Sequence, residues 1–346
     1  KREGIRVVDA PLERPISLLK DIKGLWFLYR LFRKEKPWCV HANTPKGSLL
    51  AMIAARFAGV PHRVYTVTGL RYQGAHGVLR SILKGMEVVS CLFANKVIPE
   101  GNGVKQILQE DHITQKELNV ILNGNINGVD VDYFSPSHFT TETRIKGKPY
   151  TGSKQQIRKD LNLSDDDFVF IFIGRIVGDK GMNELTACMK KFKKEGKDIK
   201  LLLVGRFESE LDPLDAGNEE FLRTNENVCF VGYQSDVRPF FVAADVLVFP
   251  SYREGFPNVV LQAGAMGIPS IVTDINGCNE IIKEDLNGKI FPPKDADALF
   301  REMEWCIDNK DRIKVMALQS REVIVDKFRQ EEVWEATLNE YRKLEN

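Results

Sequence analysis

The sequence is poor in the patterns that build metal and redox sites. Its six cysteines, at 39, 91, 188, 229, 278 and 306, never fall within ten residues of one another, which excludes the CxxC spacing of zinc and dithiol motifs. Four of them (Cys39, Cys91, Cys188 and Cys229) sit inside apolar patterns, where a thiol behaves as a small buried hydrophobe. A reducing cytoplasm fits this usage better than a disulfide scaffold does. The five histidines, at 41, 62, 76, 112 and 138, show neither HxxxH nor HExxH spacing, so no metal and no cofactor is expected. No apolar run approaches the roughly 18 residues of a membrane-spanning helix. Net charge is nearly absent too, at +1 over 346 residues.

That near-neutrality hides an asymmetry. Residues 1–150 carry 22 Lys and Arg against 13 Asp and Glu, whereas the remainder carries 27 against 35. A basic half beside an acidic half implies that the first half meets an anion. Hydrophobic residues make up 43% of the chain, enough for two cores, which excludes disorder as a whole.

Short apolar runs alternate with helical patterns from end to end. Strands are expected at Val7–Val8, Cys39–His41, Val64–Val67, Lys96–Ile98 and Val120–Leu122, then at Phe168–Ile173, Lys200–Val204, Val228–Val231, Val246–Phe249 and Ser270–Val272. This alternation predicts an α/β protein of two Rossmann-like, doubly wound domains with parallel sheets. Ser135–Gln156, rich in Thr, Ser, Lys, Pro and Gly, reads as the linker. The expected division is an N-terminal domain over 1–150, a second domain over 151–330, and a closing helix over 331–346 that crosses back to the first. The first domain looks short by a leading βαβ unit, so the chain is expected to begin inside it. Domains of this kind bind ligands at the carboxyl ends of their strands, and two facing each other would form a cleft.

Two loops at such strand ends concentrate polar chemistry. Gly174-Arg175-Ile176-Val177-Gly178-Asp179-Lys180-Gly181 follows the strand ending at Ile173. Its glycines let backbone approach a diphosphate, Arg175 offers a bidentate grip and Lys180 a point charge. The spacing is neither GxGxxG nor GxxxxGK[ST]. Pro250 to Ala263 follows the strand ending at Phe249, with Glu254 in the turn and Asn258 opening a helix whose first N–H groups suit an anion. Gln262 lies further along that helix. Asp130-Val-Asp132 and Asp165–Asp167 read as isolated acidic groups, not as a metal site.

With these loops, the stretches His41–Lys46, Tyr65–Leu70 and Asn127–Pro136 make the chain resemble family 4 of the retaining glycosyltransferases, which have the GT-B fold, and among them enzymes of bacterial capsule and O-antigen assembly. The resemblance implies that Gly174, Arg175 and Lys180 hold the donor diphosphate and that Glu254 holds hydroxyls of the transferred sugar. Arg175, Lys180 and Glu254 are thus the implied catalytic residues. It further implies that Phe256, Asn258 and Val259 offer backbone donors, that Gln262 replaces the glutamate that usually grips the ribose, and that Tyr233 meets the nucleobase. Thr68 stands where many members carry a histidine.

The acceptor is expected on the first domain, with His41, Asn43, Lys46, Thr68 and Arg71 as candidates. Lys20 to Trp38 reads as a basic amphipathic helix of a kind that rests on an anionic membrane surface. The expected partners are a UDP- or GDP-sugar, a lipid-linked saccharide acceptor and such a membrane surface, at the inner face of the bacterial plasma membrane. No nucleic acid is expected, because the basic half lacks a recognisable binding module. A nucleotide-sugar epimerase and a non-catalytic scaffold of the same fold are the competing readings.

Overall fold

The computed structural model describes residues 4–13, 17–137 and 153–345, and the backbone of a short hairpin, β4 (Arg144–Ile145) and β5 (Lys148–Pro149). The chain divides into two compact units, Lys1–Gly124 with Leu338–Asn346, and Asn125–Thr337.

The first unit runs α1 (Leu18–Glu35), β1 (Cys39–Ala42), α2 (Pro45–Ala58), β2 (His62–Val67), α3 (Gly77–Phe93), β3 (Lys96–Pro99) and α4 (Asn102–Glu110). Its three strands pair in parallel in the order β1-β2-β3. Proline at its first turn and left-handed Gly59 just past its end delimit α2, the usual asymmetry of helix start and stop. Met52, Ala54 and Ala55 of α2 are buried against the sheet with Tyr65, Val67 and Val97. Two expected strands do not form. Val7 and Val8 lie in irregular backbone with exposed side chains. Val120–Leu122 is taken by a turn, Gly124 N donating to Ile121 O at 2.9 Å with Leu122 in the left-handed region, and only Leu118 bridges to Val97.

The second unit contains β6 (Val169–Ile173), β7 (Lys200–Val204), β8 (Val228–Gly232), β9 (Val246–Phe249), β10 (Ser270–Thr273) and β11 (Gly288–Phe291) in one parallel sheet ordered β11-β10-β9-β6-β7-β8. Helices α5 (Lys154–Asp160), α6 (Met182–Lys194), α7 (Asn218–Thr224), α8 (Arg238–Ala243), α9 (Asn258–Ala265), α10 (Cys278–Ile281), α11 (Ala296–Asp308), α12 (Lys310–Lys327) and α13 (Gln330–Arg342) complete the chain, the end of α13 belonging to the first unit. Val-Phe-Ile-Phe-Ile in β6 is apolar throughout because a parallel sheet is covered on both faces, and all but the half-buried Ile173 are buried. The strand order reverses between β6 and β9, the topological switch point where doubly wound sheets open a crevice.

The division at Gly124 falls earlier than 150. Val129 and Val131 belong to the second core, Val129 pairs with Arg329, and Arg321 donates to Phe134 O at 3.0 Å and Val131 O at 3.1 Å. The linker composition at 135–156 is therefore not where the fold divides; residues 138–143, 146–147 and 150–152 of it lie outside the described residues. The second unit's first helix is fixed by Arg158, 2% exposed, which donates to Asp245 Oδ2 at 2.8 Å and to Ala243 O at 2.9 Å.

Within the first core, Glu87 of α3 is 3% exposed and accepts from Tyr65 Oη at 2.6 Å. Burial raises its carboxyl pKa to about 7. Between pH 4.5 and 7 the unfolded chain therefore releases a proton that the native state keeps, and stability falls as pH rises through that window. Glu87→Gln keeps an acceptor for Tyr65 but does not ionise. Its stability relative to wild type should improve by about 2.5 kcal/mol on going from pH 5 to pH 8, measured by denaturant unfolding at both pH values. An equal difference at both would refute the assignment.

Candidate active site at the switch point

The two loops singled out in the sequence open from neighbouring strands. The first leaves β6 at Gly174, whose N–H still bonds to Val204 O at 3.0 Å, and Ile176 N continues onto Arg206 O at 2.8 Å. A single 3-10 turn, Gly178–Lys180, then leads through Gly181 into α6. The second leaves β9 at Pro250 and enters α9 at Asn258.

The loops lie directly on one another. Gly181 has φ +70°, and a Cβ there would penetrate the Pro250 carbonyl. Tyr252 N donates to Asp179 O at 2.9 Å, and Arg253 donates to Asp179 Oδ2 at 2.8 Å. Asp212 closes the first loop from the far side, accepting from Asp179 N at 2.6 Å through Oδ2. Gly277, at φ +73°, gives the second loop room, since a Cβ there would stand 2.6 Å from Gly255 O and 2.7 Å from Phe256 Cα.

Lys180 and Glu254 meet in an ion pair across this contact, with side chains only 15% and 18% exposed. The same carboxylate oxygen accepts from Ser251 Oγ at 2.9 Å, and the Lys180 ammonium stands 5.5 Å from the Phe249 ring centre. Cys278, fully buried, has its thiol held well above the usual range by desolvation, with the Glu254 charge adding to it, so it offers no thiolate.

Arg175, half exposed, lines a 360 Å³ cavity at the carboxyl ends of β6, β7 and β8, together with Gly174, Arg206, Glu208 and Tyr233. The Arg206 guanidinium stands 4.5 Å over the Tyr233 ring, which is 61% exposed. A flat cation on a flat ring makes a stacking platform for a heterocycle. Arg175 faces Glu208 at 3.5 Å.

Asn258 Oδ1 accepts from Asn125 Nδ2 at 2.8 Å, and α9 has no side-chain cap, leaving N–H groups of its first turn for an anion. Phe256 is buried against Phe328, so only its backbone faces outward chemistry. Val259 is half-buried against the core, and Gln262 is half-buried on α9. The structure thus brings Arg175 with Tyr233, and Lys180 with Glu254.

Sequence reasoning missed Arg206, Glu208, Ser251 and Asp212. The first two follow Gly205 at the end of β7, so the strand-end rule used for β6 and β9 would have found them. Asp212 carries no local signal, because its partner is 33 positions away.

In the first unit, His41 at the end of β1 bonds through Nδ1 to Tyr341 Oη and through Nε2 to Thr66 Oγ1 at 2.7 Å. Thr68 Oγ1 donates to Asn43 O at 2.7 Å. Lys46 pairs with Asp21 and donates to Glu13 O at 2.8 Å, so it holds α1 to α2. Arg71 is exposed at the start of a 3-10 turn. Asp130 is the acceptor of its own turn, taking Tyr133 N at 2.8 Å.

Parallel-sheet α/β units with a cation-lined strand-end site suit a GT-B glycosyltransferase, and the similarities to known proteins establish that class. Residues 153–323 match the family model for glycosyl transferases group 1, and residues 1–133 match that for glycosyltransferase family 4. The chain belongs to the family 4 glycosyltransferases. It is 31% identical over 326 residues to the capsular polysaccharide biosynthesis glycosyltransferase CapM of Staphylococcus aureus, covering 94% of this chain and 82% of that protein. It is 29% identical over 331 residues to the UDP-Gal:alpha-D-GlcNAc-diphosphoundecaprenol alpha-1,3-galactosyltransferase of Escherichia coli, covering 94% and 81%. The crystal structure of Anabaena Alr3699/HepE in complex with UDP-glucose superposes with a TM-score of 0.75 at 18% identity, over 93% of this chain and 82% of that one.

Gly181→Ala tests the loop contact. The added methyl meets a carbonyl and a left-handed backbone at once, so a loss of about 3 kcal/mol is expected in denaturant unfolding. A loss under about 1 kcal/mol would mean that the loops separate freely.

Proposed function

We propose that this chain transfers a sugar from a UDP-sugar to a lipid-linked glycan, with retention at the anomeric carbon, in the synthesis of a surface polysaccharide. The observation that carries this reading is the pair of cations, Arg175 and Lys180, held on one loop at the switch point, with Glu254 beside the second. The leaving group of such a reaction is a nucleoside diphosphate. Cations fixed before the donor arrives stabilise the charge that grows on it as the glycosidic bond breaks. Lys180 exchanges its carboxylate partner for a diphosphate oxygen, and Glu254 is then free to accept from sugar hydroxyls. The uncapped first turn of α9 adds N–H donors to the same anion. UDP is favoured because the E. coli relative is named for a UDP-Gal donor and the Anabaena protein holds UDP-glucose. The lipid-linked acceptor follows the E. coli relative's diphosphoundecaprenol substrate. Retention follows the family resemblance.

The chain meets its acceptor at an anionic membrane surface. No helix among the described residues is long and apolar enough to cross a membrane. Between α1 and α2, however, Ile22, Leu25, Trp26, Tyr29, Ile53 and Phe57 line an apolar groove of 470 Å³. Trp26 is 60% and Phe57 67% exposed, and exposed Lys23, Arg30, Arg33 and Arg56 flank them. Apolar side chains rimmed by cations suit an acidic bilayer.

Calorimetric titration with UDP, GDP, ADP and TDP tests the donor site. UDP should bind, and Arg175→Ala should weaken it at least tenfold, the worth of a charge-assisted contact. GDP binding alone would move the donor to a GDP-sugar. Binding without turnover on UDP-sugars and lipid acceptors would make the protein a scaffold, and no binding by folded protein would overturn the reading. For the membrane, sedimentation with phosphatidylglycerol vesicles should be lost in a Trp26→Ser, Phe57→Ser variant, and should be absent with neutral vesicles.

A further inference from the structure

Two polar side chains of the 360 Å³ cavity, Glu208 and Gln234, have no part in the proposed chemistry, and Gln234 is already held by its Nε2 donating to Val231 O at 2.8 Å. Glu208 sits at the carboxyl end of β7, its backbone carbonyl tied down by Leu211 N at 2.9 Å and Asp212 N at 3.3 Å. Its Oε2 is buried and accepts no hydrogen bond. The nearest cation, Arg175, stands 3.5 Å from that oxygen, an ion-pair distance but too long for a hydrogen bond. An orphaned buried carboxylate oxygen is costly, and a carboxylate can only accept. The missing partner is therefore a hydrogen-bond donor.

The rest of the cavity narrows what that donor belongs to. Arg206 and Tyr233 form the stacking platform on which a base would lie. Arg175 is the cation for phosphate. Glu208 lines the same cavity as both. A group placed between base and phosphate that presents two adjacent donors is the cis-diol of a ribose. A uracil edge fits badly, because its single N–H is flanked by two carbonyls that a carboxylate would repel. Gln262, on α9, accepts at one oxygen, whereas a carboxylate offers two to adjacent hydroxyls.

We propose that Glu208 accepts hydrogen bonds from the ribose hydroxyls of the donor nucleotide, and so selects ribonucleoside diphosphates. This rests on the donor-site reading above. Ligand binding would also pull Arg175 from Glu208 toward the diphosphate, so one carboxylate passes from holding a cation to holding a diol.

The test is a cycle of two proteins and two ligands, with wild type and Glu208→Gln each titrated with UDP and 2′,3′-dideoxy-UDP. Wild-type binding of UDP comes first, and its absence would remove the donor-site reading rather than this one. Wild type should bind UDP roughly tenfold to a hundredfold tighter than the dideoxy compound, the range of hydrogen bonds to a charged acceptor. Glu208→Gln should lose most of that preference by weakening UDP alone. If the variant weakens both ligands equally, Glu208 merely positions Arg175 and the proposal fails. If wild type binds UDP and the dideoxy compound equally, the hydroxyls have no acceptor at Glu208 and the ribose assignment is overturned.

Discussion

The architecture of the site depends on one close approach, that of Gly181 to the carbonyl of Pro250. The loops after β6 and β9 leave adjacent strands on either side of the switch point. They would diverge with the sheet twist if nothing drew them together. Because Gly181 has no side chain and a left-handed backbone, the start of α6 can lie on the exit of β9. Everything polar follows from that contact. It sets Tyr252 N on Asp179 O, and it brings the ammonium of Lys180 to the carboxylate of Glu254, 74 residues later in sequence.

Electrostatics then makes the arrangement more than a packing contact. Two cations on the Gly174–Gly181 loop each face a carboxylate, Lys180 with Glu254 and Arg175 with Glu208. The two pairs differ in worth. Lys180 and Glu254 are mostly shielded from water, and Glu254 also accepts from the Ser251 hydroxyl, so separating the pair without a substitute leaves two largely desolvated charges. Arg175 is 45% exposed, and its looser pair contributes little on its own. An incoming dianion can replace both carboxylates at once. On this reading the site holds its cations close to where they are used, which is the character of a preorganised site.

How much of this was readable in the sequence varies with distance along the chain. The strand-end loops, their cations and Glu254 were legible, because an apolar run, a glycine and a charge in one ten-residue window carry their meaning locally. Five of the six strands of the second sheet were legible for the same reason. Gly288-Lys-Ile-Phe291 was not, since Lys289 interrupts the apolar run and is accommodated by Glu284, Asp285 and Glu302 and by the Trp305 ring. The two expected strands that failed, Val7–Val8 and Val120–Leu122, had the right composition, but only Leu118 finds a sheet neighbour, and no periodicity rule carries that information. Asp212 and Asn125 were invisible because each acts on a residue far away in sequence. The domain boundary was misplaced for a related reason. The Thr- and Ser-rich stretch looks like a linker, but the chain before it is stapled to the second core by Arg321, whose role no local pattern announces.

The two positions at which the resemblance implies a departure from the family pattern, Thr68 and Gln262, have different structural standing. Thr68 is committed, its hydroxyl spent on Asn43 O, where it ties the loop after β2 to the loop after β1. A short side chain that fastens two strand-end loops supports positioning, and does not reach toward a substrate. Gln262 is half-buried on α9, eight residues beyond Glu254. Within the second unit, Gln262 is no part of the Lys180–Glu254–Ser251 cluster or of the lining of the Arg175 cavity. A reaction whose barrier is lowered chiefly by charge fixed around the leaving group depends on those groups first. Losing one neutral hydrogen bond to a sugar costs far less than losing a cation. On the proposed reading the two positions bear on how the donor is held, while the cations and Glu254 that would serve the leaving diphosphate are all present, and that favours an enzyme over a scaffold.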